Sequence, residues 1–419
     1  MYLHGWPANY SEARNRFVQT ASALGAQLTT HPVPTSAQDS EPLSIDVATL
    51  GIEDASHVVV VTSGLHGVEG PVGSVVQTEA LKQQSHCSLP PGVGIMMIHA
   101  VNPWGFAHSR RVDSNNIDLN RNFIDKGVTF PATHPDYPVL DPLINPVGEA
   151  KRGDDLEFML ASLRKIMLAR GTKRLAAAIA QGQYTYPKGL FFGGQSMSVC
   201  SHTLQDILST VIDHTPSITH LDIHTGLGRP GKITLIGAET ASGQPPMTAQ
   251  PLAAQPVTAQ PVTAQPVIAQ PLAAHHVAAQ PVTAEPVAAH HVAAKDASSM
   301  EARVQAHYGL RCIADTRPGN AYRARGTLAQ WCTQQAQTTR YLYLCVEIGT
   351  VGPLKVLSAL RRENRAYYYS APHSRTRRQA SQTLRETFIP PSARWCNNSV
   401  NAALDVFHES CQRPTHDVA

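Results

Sequence analysis

The sequence predicts a single α/β domain over residues 1–419, built on a central mixed, mostly parallel sheet with helices on both faces. Three observations predict it. His57–Gly64 (HVVVVTSG) and Gly94–Ala100 (GIMMIHA) are unbroken apolar runs of strand length, the pattern of strands covered on both faces. Such runs alternate with stretches of helical periodicity, as crossover connections between parallel strands require. The 419 residues are 42% hydrophobic and only 16% charged, enough apolar material for one large core.

Taken in order, Tyr10–Leu24 has the periodicity of an amphipathic helix, and after a polar stretch Leu43–Gly51 alternates as a strand. His57–Gly64 ends in the turn LHGVEG, where Pro71 suits the first turn of a helix reaching Gln83. Gly94–Ala100 is the next buried strand, and Asp154–Gln181 is helical in composition. GLFFGG (189–194), Ser217–Gly226, Lys232–Gly237 and Tyr341–Thr350 read as further strands, with helices at Leu354–Asn364 and Arg375–Phe388. One segment breaks the pattern. Nine pentapeptide units of the QPVTA type fill Gln250–Ala294, and their recurring prolines forbid a continuous helix or a central strand. An extended or disordered insertion over 245–297 is expected there. Its HisHis pairs at 275–276 and 290–291 are metal candidates, against the simpler reading of drift within a tandem expansion.

A formal net charge of +3, scattered along the chain, argues against a nucleic-acid or membrane partner. Seven cysteines without a CxxC pair argue against a disulfide framework or a cysteine zinc site. The first residues lack the basic and apolar regions of a signal peptide, and no run of about 18 apolar residues occurs, so a soluble cytoplasmic protein is expected. No feature of the sequence sets an oligomeric state.

Four blocks carry chemistry. His66 and Glu69 lie in HGVE, where a buried strand gives way to a helix, the place where open α/β sheets form crevices. An imidazole and a carboxylate are two of the three protein ligands a catalytic zinc needs, although HxxE alone also occurs by chance. His224 ends the strand SITHLDIHTG, with Asp222 two residues earlier on the same face, placed either to orient His224 or as a simple strand-end aspartate. Glu347 emerges from the apolar strand YLYLCVEIGT, where partial desolvation suits a general base and pairing with an arginine is the alternative. The segment RRVDSNNIDLNRNF (110–123) supplies Asn120 and Arg121 to bind a carboxylate and Arg111 to stabilise an oxyanion, with Arg110 competing for that role. Asp113 and Asp118 are read as partners holding the arginines.

These blocks, in this order, resemble the zinc carboxypeptidase superfamily, which includes the digestive carboxypeptidases and the succinylglutamate desuccinylase/aspartoacylase enzymes. More narrowly, YSEARNRF, AVNPWGFAHSRRVDSNNIDLNRNF and VEIGTVGPLKVLSALRRENRAYY resemble a bacterial subgroup catalogued as a domain of unknown function. The resemblance implies one zinc ion held by His66, Glu69 and His224, with Glu347 as base, Arg111 at the scissile carbonyl, and Asn120 with Arg121 on the substrate carboxylate. YRARGTLAQW (322–331) resembles the superfamily's mobile-tyrosine segment, which implies Tyr322 over the substrate and Leu328 or Ala329 near the specificity pocket; a tyrosine at a helix start is the alternative. The implied activity is hydrolysis of an amide beside a free carboxylate, on a small peptide or an N-acylamino acid. A non-catalytic, metal-holding interaction protein using its Gln-Pro repeats is the reading from another class.

Overall fold

The least polar strands of the sequence form the middle of the sheet. In the computed structural model the described residues are 6–35, 41–84, 88–125, 127–151, 153–154, 157–158, 160–162, 178–239, 311–314 and 324–412, with the backbone alone at 238–239 and 311–314. Their eight strands are β1 (Gln27–Val33), β2 (Leu43–Leu50), β3 (His57–Ser63), β4 (Val93–His99), β5 (Ser217–Gly226), β6 (Ile233–Glu239), β7 (Arg311–Ala314) and β8 (Arg340–Gly349). They form one sheet in the order β1-β2-β4-β3-β5-β8-β6-β7. The central β4, β3, β5 and β8 run parallel, β1 and β2 join antiparallel at one side, and β6 joins antiparallel to β8 at the other. Every residue of β3 and β4 is buried, as their continuous apolar runs require.

Helices cover both faces. On one, Phe17 of α1 (Tyr10–Ala23), Val72, Val76 and Leu81 of α2 (Gly70–Gln84) and Phe407 of the C-terminal helix Ala393–Ser410 pack on Val59, Val61, Leu221, Ile223 and Leu344. On the other, Leu204 and Leu208 of the helix Val199–Ile212 and Trp331 of the helix Leu328–Gln335 pack on Val58, Val60, Tyr341 and Tyr343. Strand β3 sits between β4, reached through α2, and β5. At their carboxyl ends the chain leaves β3 toward β4 and leaves β5 toward β6 on the opposite side, and the crevice that opens between them receives the HGVE turn.

Several sequence expectations change. GLFFGG forms no strand; Phe192 makes a single bridge to Gln183 while Phe191 turns to φ 58°. Strand β1 was hidden by its polarity: it is an edge strand with alternating partial exposure, and there a polar QLTTHPV and its Pro32 are tolerated. The helices Val199–Ile212 and Ala393–Ser410 were also unforeseen, and the helix expected at Leu354–Asn364 runs from Pro353 to Tyr369. The pentapeptide units, residues 163–177 of the expected Asp154–Gln181 helix, and Tyr322 lie outside the described residues. Among the described residues no helix is long and apolar enough to cross a membrane.

Candidate metal centre

The turn after β3 is built to bring His66 and Glu69 back onto the sheet. Residues Gly67–Glu69 form one 3-10 turn whose backbone is pinned from outside, Gly67 N donating to Arg111 O and Val68 N to Arg110 O. A Cβ on Gly67 would lie 2.1 Å from the backbone carbon of Gly105, so only glycine permits this approach. Glu69 and the strand-end His224 of β5 then meet His66. The potential ligand atoms of the three buried residues all lie within 4.8 Å of one another. His66 Nδ1 is 2.9 Å from Glu69 Oε1, His224 Nδ1 is 3.1 Å from Glu69 Oε2, and the two Nδ1 atoms are 3.2 Å apart.

The outer nitrogens of both rings are spent on carboxylates. His66 Nε2 is 3.2 Å from Asp118 Oδ1, and His224 Nε2 is 2.7 Å from Asp222 Oδ2. A neutral imidazole that donates from Nε2 has only a lone pair at Nδ1. Two such lone pairs and a carboxylate thus converge on one point, a donor set of two nitrogens and an oxygen that fits zinc. The electrostatics agree in direction. Burial alone would depress His224, yet Asp222 and Glu69 hold its pKa well above the usual imidazole value. Burial would raise Glu69, but the two histidines hold it down at about 2. The pocket favours positive charge.

Glu347 stands beside this cluster because β5 and β8 are in register, with His224 paired to Glu347. Its side chain makes no ion pair among the described residues; Oε1 accepts the backbone N–H of Leu227 at 2.7 Å. Desolvation and the neighbouring Glu69 charge push its carboxyl up to about 7. That is the range in which a carboxylate can both take up and return a proton near neutrality.

The adjacent arginines separate cleanly. Arg110 is buried away from the cluster, bonded to Glu363 at 2.8 and 3.3 Å and to Asn364 at 3.1 Å, with its guanidinium 3.7 Å above the Tyr367 ring. Arg111 turns to the site. Its Nε donates to Asp118 Oδ2 at 3.0 Å, and Nη1 is 3.7 Å from Glu69 Oε1. Asp118 thus joins His66 to Arg111 and also caps the turn Leu119–Arg121 by accepting Asn120 N. Asp113, expected to hold an arginine, does not: its carboxylate accepts the N–H groups of Asn115 and Ile117 and the Ser198 hydroxyl, shaping the loop instead.

Asn120 and Arg121 flank the same turn. Asn120 Oδ1 accepts Leu328 N at 3.1 Å, and among the described residues no acceptor takes its amide hydrogens. Arg121 is buried, with Nη1 on Asn120 O and Nε lacking a partner among the described residues. Burial lowers its pKa despite the attraction of Asp118. Leu328, expected near a specificity pocket, packs fully in the core, while Ala329 is partly buried beside it.

Sequence reading passed over Thr62, His220 and Tyr343. Thr62 donates to Asp222 Oδ1 at 2.6 Å, Tyr343 donates to Asp222 Oδ2 at 2.6 Å, and His220 Nε2 lies 2.9 Å from the Thr62 hydroxyl. The signal was present in the alternation of HLDIH and YLY, whose polar members share the face that carries His224.

Comparison with known proteins adds the family. Residues 6–285 and 283–402 match the DUF2817 family, described as "Protein of unknown function". No curated protein matches the chain. Among solved structures it is similar to bovine thrombin-activatable fibrinolysis inhibitor in complex with tick carboxypeptidase inhibitor, at 10% identity over 98% of this chain and 99% of that one, with a TM-score of 0.44. It is similar to carboxypeptidase A from Helicoverpa armigera at 14% identity, over 95% of this chain and 73% of that one, with a TM-score of 0.41. Succinylglutamate desuccinylase from Chromobacterium violaceum gives 12% identity, over 90% of this chain and 74% of that one, with a TM-score of 0.35. At these identities and TM-scores the likenesses bear on neither activity nor substrate. The family match, by contrast, spans His66, Glu69, His224 and Glu347, and the chain belongs to the DUF2817 family.

Proposed function

We propose that this chain is a zinc-dependent hydrolase of the carboxypeptidase type, cleaving an amide bond beside a free carboxylate. One observation carries the reading: two imidazoles with committed outer nitrogens turn their Nδ1 atoms to within 3.2 Å of each other against a shared carboxylate. A cation between them would accept both lone pairs together with the Glu69 carboxylate. His66, Glu69 and His224 would hold the ion. Zinc, when bound, supplies Lewis acidity toward a carbonyl oxygen and lowers the pKa of water.

The remaining work falls to the chain's own groups. Glu347, desolvated but with one oxygen held by Leu227 N, takes a proton from the attacking water and returns it to the leaving nitrogen. Arg111, fixed by Asp118, directs its guanidinium at the carbonyl oxygen as negative charge develops there. The amide of Asn120 and the guanidinium of Arg121 bind the substrate's carboxylate. Tyr322 over the bound substrate completes the proposal from sequence resemblance alone.

A panel of short peptides and N-acylamino acids, offered to the zinc-loaded chain, tests the reading. Release of a C-terminal residue that stops on chelation and returns with zinc is expected. Cleavage confined to N-acylamino acids would move the activity to deacylation, and no zinc-dependent cleavage of either class would contradict it.

A further inference from the structure

Asp222 has no exposed surface, yet both oxygens of its carboxylate are engaged at the heart of the sheet. Its donors come from three strands. Thr62 of β3 donates to Oδ1 at 2.6 Å, Tyr343 of β8 donates to Oδ2 at 2.6 Å, and His224 of β5 meets Oδ2 at 2.7 Å. The direction of every proton behind Asp222 follows by elimination. Thr62 has one hydroxyl hydrogen, and Asp222 takes it, so toward His220 the Thr62 oxygen accepts. His220 Nε2, at 2.9 Å, must therefore carry a hydrogen. Burial pushes the His220 pKa down to about 4, so the ring is neutral and its Nδ1 accepts, receiving the Tyr341 hydroxyl at 2.7 Å. The chain is polarised one way, from Tyr341 through His220 and Thr62 to Asp222. Bonds aligned in this manner strengthen one another.

A fold does not need this column. The opposite face of the same strands is filled by Val59, Val61, Leu221, Ile223 and Leu344, and exchanging buried polar networks for packed apolar groups is often neutral or stabilising. What the column supplies is a fixed acceptor for His224. We propose that Thr62, Tyr343 and His220 are positioning residues of the metal centre: they hold the Asp222 carboxylate in one rotamer, so that His224 keeps its hydrogen on Nε2 and its Nδ1 lone pair toward His66 and Glu69. This rests on the zinc reading above. None of the three touches the ion or substrate; each acts through Asp222.

The test is zinc affinity of the full chain, measured by competition with a chromophoric chelator, alongside the melting temperature of the metal-free protein. Thr62→Val and Tyr343→Phe should each weaken zinc binding about tenfold, the low end for groups that orient a metal's ligands. Thr62→Ser keeps the hydroxyl and should stay within about twofold of the parent. His220→Leu should fall between them. Where Thr62→Val does not fold, Tyr343→Phe read against Thr62→Ser carries the comparison. Zinc affinities of Thr62→Val and Tyr343→Phe indistinguishable from the parent would overturn the proposal, as would Thr62→Ser binding as weakly as Thr62→Val. A parent chain that binds no zinc at all would instead remove the metal reading on which it stands.

Discussion

The two faces of the central sheet use the same strands for opposite purposes. On β5, Leu221 and Ile223 enter an apolar core beneath α1 and α2, while His220, Asp222 and His224, one residue out of step, form the polar column under the metal centre. On β8, Leu344 and Val346 face the core, and Tyr343 and Glu347 face the column and the site. Strand alternation alone makes this possible. Each face buries histidines, and two of them differ in how they are held. His99 stacks on Phe17 and bonds Ser74 through Nε2, with Nδ1 left unpartnered, whereas both His220 nitrogens are bonded. The apolar face tolerates an imperfect polar contact because nothing depends on its direction. In the column behind Asp222 the hydroxyls of Thr62 and Tyr343 and both nitrogens of His220 are assigned, since an unassigned one would let the carboxylate below His224 turn.

Four perturbations sharpen or break this contrast. The largest concerns Glu347→Gln, which should cut turnover by about 10²–10⁴-fold while zinc content and melting temperature stay near the parent's; an active Gln variant would remove Glu347 as base. Leu221→Ala, on the opposite face of the adjacent strand, should cost about 2–5 kcal/mol in chemical unfolding with turnover per folded molecule retained. Loss of zinc without loss of stability in that variant would mean the faces are not separable. Asp222→Asn should leave the fold but weaken zinc by about 10–100-fold, because the amide can present its N–H₂ to a group that needs an acceptor.

The smallest effect is on pH dependence. Burial lowers the pKa of His99 to about 4, below the 6.5 of a free imidazole. A depressed folded-state pKa means that the unfolded chain binds the proton first, so the stability tied to neutral His99 is full above pH 6.5 and is lost as pH falls toward 4. Urea titrations of the parent and His99→Leu should therefore shift in the variant's favour on acidification through that window. A gap independent of pH would show that His99 is not buried in neutral form.

Legibility in the sequence followed the same division. The apolar strands β3 and β4 announced themselves because parallel strands covered on both faces need unbroken apolar runs. Strand β1 did not, because an edge strand obeys no such requirement. His66, Glu69, His224 and Glu347 were readable as polar residues at the ends of apolar strands. Which arginine faces the site was not readable: Arg110 and Arg111 are chemically identical neighbours, and the choice is made by Glu363 and Tyr367, more than two hundred residues away in sequence. Likewise Asp113 and Asp118 have the same composition around them, but only Asp118 lies within reach of His66. Thr62, His220 and Tyr343 become a group only when β3, β5 and β8 are laid side by side. Local sequence sets which residues can do chemistry; long-range pairing sets which of them meet.

The most direct test is an anomalous-difference map at the zinc edge from crystals of the zinc-loaded chain. One peak per chain is expected, with His66 Nδ1, a Glu69 oxygen and His224 Nδ1 each about 2.0–2.2 Å away. A peak held by other residues, or by the Nε2 atoms of these histidines with Asp118 and Asp222 displaced, would contradict it.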